Sequence, residues 1–215
     1  MPETAAPAAL LFTAPGCPHC PGVKAALEKL LAEGAIASLE VVDATREQAR
    51  AAELGVRSVP WLRLGEFVLT GAQTPQELRQ WAGRAADPQG MSGYLEHLLA
   101  NGELAAAEAL LQRQPNHLAA LLPLLGAADT PIQVRLGIGA ILESLEGQEA
   151  LRPLLPELIR LSAHQDHRVR SDACHYLGLS HSAEALPALE ARLEDGHPEV
   201  REIAAEAIES IREHQ

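Results

Sequence analysis

The sequence predicts an α/β domain followed by an all-α helical solenoid, and three observations carry that prediction. Over residues 1–86 short apolar runs alternate with stretches of helical periodicity. Beyond Asp87-Pro88-Gln89-Gly90, a turn-forming break, apolar residues recur only at helical spacing. Within that second part a Pro-x-Leu step followed by Val-Arg returns three times, with Val at 134, 169 and 200. Composition agrees: 47% of residues are hydrophobic but only 3% aromatic, so the cores are aliphatic and rich in helix-forming Ala and Leu.

Taken in order, Ala8 to Thr13 reads as a short buried strand between Pro7 and Pro15-Gly16. From Cys17 the pattern turns helical, with Val23, Leu27, Leu30 and Leu31 on one apolar face and Gly34 as its stop. Ser38 to Val42 is a second strand. Thr45 and Gln48 have the spacing of a capping box, opening a helix that stops at Gly55. Trp61 to Leu64 and Phe67 to Leu69, joined by Gly65-Glu66, read as a hairpin. Thr74-Pro75-Gln76-Glu77 is a second capping box with proline in the first turn, and Leu78, Trp81, Ala82 and Ala85 continue its apolar face. The order is βαβαββα. After the break, Ser92 is expected to cap a helix ending at Ala100, and Glu103 to Gln114 forms the next, with Leu104, Ala107, Leu110 and Leu111 inward.

Charge narrows the function. The net charge is −12, and it lies almost wholly in residues 87–215, which carry 9 Lys+Arg against 20 Asp+Glu. A field of that sign repels phosphate backbones, so no nucleic acid is expected as partner. It suits a basic protein partner, or simply keeps a solenoid solvated. Three cysteines do not make a disulfide-stapled secreted scaffold. Met1 to Thr4 lack a basic leader region, and the apolar run Ala8 to Phe12 is shorter than a signal core. The expectation is a cytoplasmic protein without membrane contact.

Chemistry concentrates in Cys17-Pro18-His19-Cys20, at the start of the first predicted helix. Two thiols at this spacing can close a small disulfide ring, and the helix N-terminus favours a thiolate on the first. The same spacing is half a zinc site, but zinc takes four ligands and the remaining cysteine, Cys174, is remote in sequence. Redox chemistry is therefore the reading, with no metal and no cofactor.

Together with Leu54-Gly55-Val56-Arg57-Ser58-Val59-Pro60, this motif makes residues 8–86 resemble a thioredoxin-fold domain of glutaredoxin size. The resemblance implies a cis peptide at Val59–Pro60, with that loop packed against the cysteine pair. It also implies Cys17 as the attacking thiol, Cys20 as the resolving thiol, Pro18 and His19 as residues that tune the thiolate, and Val59, Pro60 and Trp61 at the substrate groove. A Pro-His pair between the cysteines resembles the periplasmic disulfide-donating oxidoreductases; the lesser alternative is that His19 is merely a polar spacer. The chain departs from thioredoxins in two places. Pro15-Gly16 precede Cys17 where thioredoxins carry Trp, and Ala8 to Phe12 hold no acid to accept the Cys20 proton. Gly71-Ala72 only partly resembles the glutaredoxin Gly-Gly step, so glutathione is not expected.

Residues 118–214 look like short HEAT-like repeats, preceded by a helical pair over 87–117. That resemblance implies inter-repeat ladders between Asp129, Asp166 and Asp195 and Arg135, Arg170 and Arg201. Cys174, beside Ala173 and Leu177, reads as an inert core cysteine rather than a third redox thiol. His164, His167, His175, His181 and His197 are scattered without metal-ligand spacing. The function expected is thiol–disulfide exchange on protein disulfides, with the repeats selecting or holding the protein partner. The alternative is a redox-regulated chaperone or interaction module with little turnover.

Overall fold

A computed structural model describes residues 5–215, so Met1 to Thr4, which lack a basic leader region, lie outside the described residues. The chain divides into two compact units, residues 1–94 and 95–215.

The first unit is a four-stranded sheet of order β2-β1-β3-β4, formed by β1 (Ala8–Thr13), β2 (Ser38–Asp43), β3 (Trp61–Leu64) and β4 (Phe67–Thr70). β1 runs parallel to β2 and antiparallel to β3, and β3 and β4 close the predicted hairpin. Register places Phe12 opposite both Val42 and Trp61. Leu10, Phe12, Val42, Trp61 and Ala51 of α2 (Gln48–Glu53) form the core on that face. Strand alternation sends Ala9 and Leu11, with their partners Leu64 and Leu62, to the opposite face. Two further helices, α1 (Cys20–Ala32) and α3 (Pro75–Ala86), pack on one another and on the sheet.

Local details confirm or correct the reading residue by residue. α1 begins at Cys20 rather than Cys17, and its buried face is Cys20, Val23, Ala26, Leu27 and Leu30. Leu31, assigned to that face, is 39% exposed, because the stripe turns toward Ala26 instead. The helix does end at Gly34: its N–H bonds to Leu31 O, and Ala35 N–H to Leu30 O. The capping box at Thr74 is complete, with Glu77 N–H donating to Thr74 Oγ1 and Thr74 N–H to Glu77 Oε2. The one at Thr45 does not form. Asp43 Oδ1 accepts both the N–H and the hydroxyl of Thr45, at 2.9 and 2.7 Å, and α2 starts later with no side-chain cap.

The unit boundary falls beyond residue 86 because α4 (Gly90–Ala100) begins in the first unit. Tyr94 holds it there. Its hydroxyl accepts from Val68 N–H and donates to Val68 O on the edge strand β4, and its ring stacks on Phe67 at 4.4 Å. Trp81 packs edge-on to both rings, with the Arg84 guanidinium 4.7 Å above it. Gly90 is required at the helix entrance, since a Cβ there would meet Arg84 O at 1.8 Å. Ser92 thus lies inside α4 instead of capping it, and Asp87 shapes the entrance by accepting from Gln89 and Gly90 N–H.

The second unit is helical among its described residues. α5 (Leu104–Arg113) precedes three helical pairs. Each first member is a 3-10 turn running into a short α segment: α6 (Leu122–Gly126), α8 (Leu155–Leu161) and α10 (Leu186–Glu190). Pro123, Pro156 and Pro187 each stand second in those segments, where a missing N–H leaves no intrahelical bond unmade. The second members are α7 (Ile132–Glu143), α9 (His167–Leu179) and α11 (Pro198–Glu213). Their repeat-periodic residues, Val134, Ile138 and Leu142, then Val169, Ala173 and Leu177, then Val200, Ala204 and Ile208, are all buried. Gly178 lets α9 and α11 approach closely, a Cβ there lying 2.9 Å from Ala207 Cβ.

The expected ladder forms at one rung. Arg170 binds Asp195 through two hydrogen bonds of 2.7 and 2.8 Å. Asp166 is instead taken by Arg168 and by the start of α9, and Arg135 reaches Asp172. What the three arginines share is a bond to the carbonyls ahead of the second helix: Leu125 O for Arg135, His164 O and Gln165 O for Arg170, and Asp195 O for Arg201. They satisfy orphan turn and helix-end carbonyls first.

Candidate redox site

The C-terminal end of β1 delivers the chain to Pro15-Gly16 and then to Cys17, whose N–H bonds back to Ala14 O at 3.2 Å. Cys17 stands three residues ahead of the first helical residue, Cys20, with His19 as N-cap. Their sulfurs are joined as a disulfide, with Cα atoms 5.6 Å apart. The environments differ. Cys17 is half-buried, Cys20 is 4% exposed, and Pro18 and His19 between them are exposed.

Two features favour negative charge on Cys17. The Cys20 N–H points at Cys17 Sγ at 3.2 Å, a donor from the first turn of α1. No acidic residue occupies that first turn, so nothing there opposes the helix dipole. His19 makes no side-chain capping bond. Among the described residues of the first unit no carboxylate is buried, in line with the acid-free strand Ala8 to Phe12.

The Val59–Pro60 peptide is cis. Val59 is half-buried against the core formed by Leu10, Phe12, Val42, Ala51 and Trp61, and Pro60 is buried. Trp61 is 4% exposed, with its ring edge-on to Phe12 at 5.7 Å. The indole is therefore a core side chain beneath Val59 rather than an open wall.

Cys174 lies fully buried in α9, and burial pushes its thiol up to about 11, as an inert core cysteine requires. The histidines are less scattered than their sequence spacing suggests. His167 and His197 stack at 3.8 Å between ring centroids, as do His181 and His214. The signal for the first pair was its separation of close to one repeat, a spacing that linear ligand patterns do not cover.

Among the described residues no helix is long and apolar enough to cross a membrane. Residues 10–83 match the family model of a thioredoxin domain, and residues 118–209 that of HEAT repeats. Thioredoxin of Methanocaldococcus jannaschii is 34% identical over 70 residues, covering 32% of this chain and 82% of that protein. These matches and the Cys17–Cys20 pair at disulfide distance support a redox role. The chain belongs to the thioredoxin family, as a thioredoxin domain joined to HEAT repeats.

Proposed function

We propose that the protein is a thiol–disulfide oxidoreductase acting on protein disulfides, with the repeats holding or selecting the partner. The observation that carries the reading is the asymmetry of the pair: Cys17 is half-buried and accepts an N–H bond, while Cys20 is buried behind it. In the reduced protein the Cys17 thiolate attacks a substrate disulfide. A bond forms from Cys17 Sγ to one substrate sulfur, and the other substrate sulfur leaves as a thiolate that takes a proton. Cys20, having given up its proton, then attacks Cys17 Sγ. The mixed disulfide breaks, the substrate departs as a dithiol, and the Cys17–Cys20 disulfide remains, two electrons having passed to substrate. Run in reverse, the same steps donate the disulfide.

Val59 and Pro60 frame the substrate groove in this reading, with Trp61 supporting them from the core. Pro18 and His19 tune the thiolate. The strongly acidic second half favours a basic protein partner. Cytoplasmic placement belongs to the same proposal. The missing buried carboxylate favours slow turnover, which gives the redox-regulated chaperone its place as second reading.

Trapping tests the proposal. Reduced Cys20→Ser protein mixed with a disulfide-bonded protein such as insulin should accumulate a mixed disulfide through Cys17, visible by intact mass. Cys17→Ser should form none and should reduce insulin no faster than buffer. Full exchange activity in Cys17→Ser would overturn the assignment.

A further inference from the structure

From His167, His197 and Glu199 we infer a binding site for a single divalent transition-metal ion of the zinc class, bridging α9 and α11 of successive repeats. One ligand atom from each of these side chains lies within 4.8 Å of the other two. They come from the starts of two helices that pack against each other: His167 opens α9, His197 is the N-cap of α11, and Glu199 sits in its first turn. Two imidazoles and a carboxylate are a donor set zinc accepts, with the fourth position left to water.

Independent observations point the same way. His197 holds the N-cap station that Asp166 holds in the preceding repeat, but its ring makes no capping bond, whereas Asp166 caps α9 by accepting from Arg168 N–H. Its Nδ1 is buried and has no hydrogen-bond partner. That atom faces Glu199 Oε2 at 3.8 Å. The gap is too long for a hydrogen bond, while two bonds of about 2.1 Å to one ion span up to about 4 Å. The His167 ring stacks on His197, and its Nδ1 lies 3.8 Å from Asp166 Oδ1.

Charge in the hollow permits a cation. Arg168 and Arg170 both line it, but Arg168 is bound by Asp166 and Arg170 by Asp195, so each guanidinium carries its own carboxylate. Glu199, in the first turn of α11 beside that hollow's His197, supplies the negative charge of the donor set, in a half of the chain that is already strongly acidic. Imidazole lone pairs lie in the ring plane, so binding one ion turns the two rings out of their stack until a nitrogen of each and the Glu199 carboxylate point at it. The site is separate from the cysteine chemistry and does not depend on it.

The test is Zn2+ binding to the full chain in its oxidised form, so that Cys17 and Cys20 offer no thiolate. Metal-stripped protein is titrated with Zn2+ against a chromophoric chelator, and Co2+ serves as a spectroscopic probe of the coordination number. The expected result is one equivalent per chain, with affinity more than about tenfold weaker in His167→Ala and in His197→Ala. His181→Ala, which alters the other stacked pair, should bind as the unaltered chain does. Zn2+ should also raise the melting temperature of the unaltered chain but not that of His197→Gln, whose fold is checked by circular dichroism. No stoichiometric binding, binding undiminished in both variants, or binding lost in His181→Ala would each overturn the site.

Discussion

Single residues decide what each thiol can do. Cys17 receives the N–H of Cys20 and stands at the surface side of the pair, whereas Cys174 is enclosed by apolar neighbours and its thiol is pushed up to about 11. At pH 8 Cys174 is therefore a neutral thiol in the folded chain, and its burial also keeps reagents from the sulfur. Iodoacetamide added to reduced protein at pH 8 should label Cys17 rapidly and leave Cys174 unlabelled until denaturant is present. Fast labelling of Cys174 in the native protein would contradict its burial. The same scale explains two departures from the sequence reading. Thr45 has the spacing of a cap, but the Asp43 carboxylate accepts from both its N–H and its hydroxyl, which holds the side chain against Asp43. Trp61 follows the cis-proline in sequence, yet strand register places it opposite Phe12 in the core. Neither competitor is visible in a pattern of hydrophobicity alone.

At the scale of elements, β1 and the hairpin were legible because their short apolar runs are bounded by Pro and Gly, and the Thr74 helix because proline and both capping residues agree. The helical pairs were legible because each buries the Leu of the same Pro-x-Leu step and the Val of the same Val-Arg step. Pairings between repeats were not, since they depend on side-chain reach. Arg170 and Asp195 show why this matters for stability: their side chains are 14% and 4% exposed, and the guanidinium also holds His164 O and Gln165 O. Removing one partner of such a pair leaves an uncompensated charge and costs about 3–5 kcal/mol. Asp195→Ala should destabilise the second unit by roughly that amount in urea melts. Arg170→Met combined with Asp195→Leu should cost less than the sum of the two single changes, because no orphan charge remains. Strict additivity would mean that the pair does not couple. The stacked histidines belong to this scale too, since a residue and its counterpart one repeat later are neighbours in a solenoid.

Across the whole molecule, one chain joins a thioredoxin domain to HEAT repeats, and the charge is divided between them very unequally. A near-neutral domain carries the disulfide, while residues 87–215 carry nearly all of the net negative charge. The proposed exchange chemistry requires that Cys17–Cys20 be a working redox couple. The most direct measurement is its reduction potential, obtained by equilibrating the full chain in thiol–disulfide buffers and counting free thiols by mass after alkylation. The expected result is a single reversible two-electron transition, abolished in Cys17→Ser, between the thioredoxin value of about −270 mV and the strongly oxidising end at about −120 mV. A pair that stays fully oxidised or fully reduced across that range, with no reversible transition, would contradict it.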